Sequence, residues 1–167
     1  MVGPIDQLRV YARRGLLIDA NLLLLLFLGA YDPKQIDTNP RLQKYARKDF
    51  ELLVDLLSRF RPLVTTSNIL TEVSNLSNAI PERNREAYFA SFASRVKLLE
   101  EQHVASSTAL ESRWARLGLT DAVIATIARN RYLVLTDDFR LSQCLQSDGI
   151  DTLNFNHLRE SYWQIKN

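Results

Sequence analysis

A chain of 167 residues suits one domain better than two, and at that length folding buries roughly 70% of the unfolded surface. Hydrophobic residues make up 46% and charged residues 24%, so composition excludes a disordered chain, and a net charge of +2 gives no bulk electrostatic reason to expect a nucleic-acid partner. The lone Cys144 cannot close an internal disulfide, which fits a reducing cytoplasm; between Leu141 and Leu145 it reads as a buried structural thiol rather than a nucleophile.

Residues 1–14 form a lead-in, with Pro4, Ile5, Leu8, Val10 and Tyr11 giving a short amphipathic helix over 4–14 that Gly15 ends. Gly-Leu-Leu-Ile-Asp then reads as a buried strand ending at Asp19, and Leu22 to Leu28 as a helix. Arg13 and Arg14 before this apolar segment resemble the opening of a secretory signal. Asp19 and Asn21 inside it oppose membrane insertion, and its uninterrupted run falls well short of the ~20 residues that span a bilayer. A buried strand entering a buried helix is the better reading, with no membrane contact.

Tyr31 to Pro40, carrying Asp32-Pro33 and Asn39-Pro40, reads as a loop, and Arg41 to Phe60 as one long amphipathic helix. Together they make an insertion over 31–60. Leu63-Val64-Thr65 is a second strand, after which Thr66 or Ser67 caps a helix from Asn68 to Ala79. Pro81 opens a helix reaching about Leu99, and Val104-Ala105 is a weak strand. Ser106 or Ser107 caps a helix through Leu117, and Thr120 caps one from Asp121 to Asn130. Tyr132 to Thr136 is the clearest strand in the chain. Phe139 to Ser147 is helical, Asp148-Gly149 turns, and Ile150 to Phe155 is a last strand before a C-terminal helix.

Short apolar strands alternating with helices predict an α/β fold with a mainly parallel sheet covered on both faces. Such sheets bind ligands outside the carboxyl ends of their strands, where Asp19 and the pair Asp137-Asp138 fall. Glu72 sits at the edge of the helix face formed by Ile69, Leu70, Val73 and Leu76, at the core boundary. Asp121 lies in the first turn of a helix that is apolar nearly all round. Each acid also has a plain structural role open to it, as a helix cap or a boundary residue. Asp19 fits that role least: it ends an apolar strand, and no Lys or Arg lies between Gly15 and Tyr31 to pair with it. Carboxylates gathered at one place repel and hold protons unless a cation joins them, and hard oxygen ligands suit Mg2+ or Mn2+. The sequence offers no Cys/His zinc site, because His103 and His157 are its only histidines and neither has a partner at ligand spacing.

In order, Leu-Leu-Ile-Asp-Ala-Asn, Ser-Asn-Ile-Leu-Thr-Glu-Val, Leu-Thr-Asp-Ala-Val-Ile-Ala-Thr-Ile-Ala and Leu-Val-Leu-Thr-Asp-Asp-Phe resemble the four acidic motifs of the PIN domain. The resemblance runs from about Gly15 to Phe155. It implies a three-layer fold, with a sheet of four to five strands between helices, and metal-dependent cleavage of RNA. It implies Asp19, Glu72, Asp121 and Asp138 as catalytic and metal-binding acids, with Asp137 able to replace or assist Asp138. Asn21 would orient a ligand or water, and Thr136 would support a carboxylate from behind. Many bacterial members are toxins neutralised by a small antitoxin; others process or degrade cellular RNA, and a homodimer is compatible with either. Lys44, Arg47, Lys48 and Arg140 are the basic residues placed to hold an RNA backbone, or else a solvated helix face. Tyr31 and Tyr45 offer stacking surfaces or ordinary aromatic packing.

Two other readings use the same residues. A haloacid-dehalogenase-like phosphatase also starts with an acid after its first strand, but needs a second acid where this chain has Asn21. A PIN-like scaffold that binds RNA or protein without cutting would keep the fold alone.

Overall fold

Five short runs form strands: β1 (Leu16–Ile18), β2 (Leu63–Thr66), β3 (Glu100–Gln102), β4 (Leu133–Thr136) and β5 (Thr152–Asn154). In the computed structural model, which describes residues 4–165, they make one all-parallel sheet in the order β3-β2-β1-β4-β5, flanked by helices in a three-layer α/β arrangement. Every residue of the central strands β1 and β4 is buried, as a sheet covered on both faces requires. At one edge, β3 is Glu-Glu-Gln, with both glutamates exposed, and charge of this kind keeps an edge from pairing with another chain. The lead-in forms α1 (Pro4–Tyr11); residues 1–3 of the predicted lead-in lie outside the described residues. Among the described residues, no helix is long and apolar enough to cross a membrane.

The segment over 31–60 departs most from expectation. α2 (Ala20–Tyr31) runs into the predicted loop, and most of the rest of that loop is α3 (Lys34–Thr38). Pro33 precedes α3 and Pro40 starts a short 3-10 turn, positions where the missing N–H of proline costs little. The predicted long helix is broken: the 3-10 turn Pro40–Leu42 is followed by non-helical residues, and only α4 (Arg47–Leu57) is α-helical. The restart is fixed by Asp49, whose carboxylate reaches back to accept the Ala46 amide at 2.7 Å. Asp49 is fully buried there and also pairs with Arg159 at 2.9 Å.

Thr66, one of the two predicted caps, accepts the Ile69 amide at the start of α5 (Ser67–Leu76), and a 3-10 turn continues to Ala79. α6 spans Glu82–Val96. The strand expected at Val104-Ala105 is absent there; β3 lies earlier. α7 is only Ser106–Leu110, preceded by Ala105 rather than a serine cap, with a separate 3-10 turn at Ala115–Leu117. α8 (Leu119–Ala128) begins before Thr120: its N-cap is Gly118, at φ 104, a conformation that a side chain would strain. Thr120 therefore lies inside the first turn. α9 is Phe139–Ser147 as predicted, β5 is shorter than the predicted Ile150 to Phe155, and α10 is Phe155–Ile165. Cys144 is half-buried rather than buried.

α2 is apolar on all sides because it is buried on nearly all sides, and it packs on α3, α4, α5 and α6. Gly29 lies against Phe50 of α4. A Cβ there would lie 2.6 Å from Cδ2 of the Phe50 ring. Gly29→Ala gains about 1 kcal/mol of helix propensity but forces a half-buried ring aside, at a usual cost of ~1–3 kcal/mol. We expect a net loss of about 1 kcal/mol in urea denaturation. A stabilised variant would show that the ring moves freely.

Candidate functional site

The chain leaves β1 for β2 on one side, while β4, paired on the other side of β1, leads to β5. Connections departing in opposite directions open a crevice at the carboxyl ends of the two strands, the usual binding position in open parallel sheets. The register then fixes what faces the crevice. Ile18 pairs with Leu135, and the Asp19 amide donates to the Leu135 carbonyl at 3.0 Å, so Asp19 and Thr136 become neighbours. The Thr136 hydroxyl donates to Asp19 Oδ2 at 2.6 Å and accepts the Asp138 amide at 3.0 Å. Asp19 Oδ1 accepts from the Ala20 amide at 2.6 Å, which makes Asp19 the N-cap of α2.

Asp19 is 8% exposed, and burial is the main reason its carboxyl is raised to about 7. The negative charges of Asp137 and Asp121 push the same way, against the hydrogen bonds from Thr136 and Ala20. Asp121, half-buried in the first turn of α8, is raised to about 6, mainly by burial and further by Asp138 and Glu72, with Arg140 opposing. Asp19, Asp121, Asp138 and Glu72 are therefore linked through one another's fields. Among the described residues, neither Asp19 nor Asp121 carries a salt bridge.

Asp137 and Asp138 are neighbours with different surroundings. Asp137 is buried, and both its oxygens are engaged: Oδ1 accepts from Asn21 Nδ2 at 3.2 Å, and Oδ2 from the Tyr45 hydroxyl and the Lys44 ammonium, each at 2.5 Å. Asn156 Nδ2 donates to its backbone carbonyl at 2.8 Å. Asp138 is exposed, and its Oδ1 accepts the Leu141 amide as the N-cap of α9. Glu72 is exposed rather than held at the core boundary. Lys44 is not on a helix; it neutralises Asp137. Arg47 is turned to Asp37 at 2.6 Å, Lys48 is exposed on α4, and Arg140 is exposed beside Asp138. Tyr45 is buried, with the Lys44 and Arg159 cations over its ring, so it cannot stack on a base. Tyr31 is half-buried, edge-on to Tyr88.

Sequence reasoning missed this clamp, because Tyr45 and Asn156 reach Asp137 only through the tertiary fold. Burial and the neighbouring Asp137 charge push the Tyr45 phenol far above its ordinary value, so it stays protonated and donates. Tyr45→Phe removes a donor to a buried carboxylate, and we expect it to cost about 1.5–3 kcal/mol in chemical denaturation. A loss within about 0.5 kcal/mol would mean that Lys44 and Asn21 hold Asp137 alone.

Buried Asp19 and half-buried Asp121 lack ion-pair partners among the described residues, and the negative charges around each raise its proton affinity. Asp121 is among those acting on Asp19, and Asp138 and Glu72 act on Asp121; a divalent ion would reverse this. Among the described residues, no three His, Cys, Asp or Glu side chains converge closely enough to enclose an ion. Mg2+ does not need such a cage, since it keeps several waters and binds through one or two carboxylates. Compared with models of protein families, with curated proteins and with solved structures, the chain shows no match to any of them.

Proposed function

We propose that this protein is a Mg2+- or Mn2+-dependent ribonuclease of the PIN type, working in the cytoplasm. The observation that carries this reading is the pair Asp19 and Asp121: two carboxyls with raised pKa at the strand-end crevice, coupled to Asp138 and Glu72. A divalent ion bound there supplies Lewis acidity, lowering the pKa of water and offsetting charge on a phosphodiester. Asp19 and Asp121 would hold it directly, with Asp138 and Glu72 adding negative charge around them. Thr136 orients Asp19, and Asp137 serves as the anchor of the clamp rather than as the fourth acid.

Single-stranded RNA suits the rim of the site. Phe139 is 57% exposed next to Asp138, a surface on which a base can stack, and Arg140 follows it to meet phosphate. An antitoxin or a second copy of the chain would be a regulator of this activity. The reading is tested by incubating purified protein with labelled RNA and Mn2+. We expect products that EDTA abolishes, and a Mn2+-dependent rise in the melting midpoint from binding to the folded state. Release of phosphate from small phosphomonoesters without RNA cleavage would instead indicate a phosphatase.

A further inference from the structure

Beside the acids, a pocket of about 380 Å3 lies between α5 and the first turn of α8. Ser67, Asn68, Thr71, Glu72 and Asn75 share one face of α5 and form one wall; Leu119 and Thr120 form the other. Among the described residues, no side-chain hydrogen bond engages Ser67, Asn68, Thr71, Asn75 or Thr120. Five neutral hydrogen-bonding side chains thus line one open, solvent-facing pocket with their capacity left for solvent or a ligand.

The chemistry of the lining narrows the ligand. No Lys or Arg lines the pocket and Glu72 adds negative charge, so a phosphate group is the wrong occupant. Amides and hydroxyls match the donor and acceptor edges of a nucleobase, and Asn offers both in one side chain. Leu119, 36% exposed, supplies an apolar contact for the face of the ring. The volume sits near the lower end of the ~300–1,000 Å3 typical of small-molecule pockets, which suits one nucleoside. In double-stranded RNA the bases are stacked and their Watson–Crick edges paired, so an unpaired base is the one that can be splayed into the pocket.

We infer that this pocket binds one unpaired base of the RNA strand next to the bond being cut, and so sets sequence preference. The inference rests on the ribonuclease reading, with Glu72 as the residue common to pocket and acids. It is tested on the full chain by anisotropy of labelled oligo(A), oligo(U) and oligo(C) in EDTA at low salt. Wild type, Thr71→Ala and Asn75→Ala are compared after matching their melting curves. We expect wild type to favour one oligomer at least about fivefold, and Asn75→Ala to reduce that ratio below about twofold, as loss of a good base contact predicts. Absence of binding, equal affinity for all three, or an unchanged ratio in both variants overturns the inference. A wild type that selects a base but gives no Mn2+-dependent cleavage removes the nuclease reading and leaves the pocket standing; cleavage without base selection does the reverse.

Discussion

Asp19→Asn is expected to stabilise the metal-free protein at pH 8 and to abolish its stabilisation by Mn2+. The folded carboxyl is raised to about 7 against an ordinary value of 3.8, so the fold binds this proton more tightly than the unfolded chain does. The sign follows from linkage. Below about 4 both states are protonated and Asp19 carries no charge penalty; stability falls as pH rises through the interval to about 7, and above that the full penalty applies. At about 1.36 kcal/mol per unit of pKa, the penalty has an upper bound of about 4 kcal/mol. Asn removes it and keeps the shape: its carbonyl oxygen can accept the Ala20 amide, and its amide can donate to the Thr136 hydroxyl, which has one lone pair left beside the Asp138 amide. Asn is also a good N-cap. We expect a gain of about 1–3 kcal/mol at pH 8 that disappears near pH 4, measured by urea denaturation in EDTA. A loss of stability that is the same at both pH values would make Asp19 a helix cap and nothing more.

What could be read from the sequence depended on how local the cause was. β4 and α9 were legible because a run of Leu-Val-Leu needs no partner to be recognised as buried, and Asp138 follows it at the cap position. β3 was not: Glu-Glu-Gln has no strand pattern and becomes a strand only because β2 offers an open edge. The predicted loop at Tyr31 to Pro40 followed from two X-Pro pairs, but proline is tolerated where a helix begins, and Pro33 and Pro40 both stand at such starts. The predicted helix from Arg41 takes in Tyr45, whose burial fits helical apolar spacing although it stands between the 3-10 turn and α4, with its hydroxyl donating to Asp137. Among the site residues, Asp19 was legible because an unpaired acid after an apolar strand is costly wherever it occurs. Asp137 could not be told from Asp138 in the sequence; Asn21, Lys44 and Tyr45 come from two distant segments to engage the first and leave the second exposed.

Asp121→Asn provides the sharpest separation between a catalytic acid and a structural one. An acid in the first turn of a helix contributes only ~0.3–1 kcal/mol through the helix dipole. If that is its whole role, the variant loses that much stability and keeps its activity. The site assigns it more: Asp121 shares a field with Asp138, Glu72 and Asp19, and its own charge is disfavoured by burial and by the first two. Neutralising it relieves repulsion, so the metal-free protein should be as stable as wild type at pH 8 or more so. Mn2+-dependent cleavage should fall on the order of 10²–10³-fold, the size of effect when a group stabilising the transition-state charge is removed. Cation binding needs ionised carboxylates, so wild-type Mn2+ affinity should climb as pH passes from about 6 to about 7 and level off above. In Asp121→Asn only the upper part of that climb, belonging to Asp19, should survive, and with much weaker binding. Calorimetric titration of Mn2+ across this pH range checks it. A variant with wild-type cleavage and wild-type pH dependence would remove Asp121 from the site.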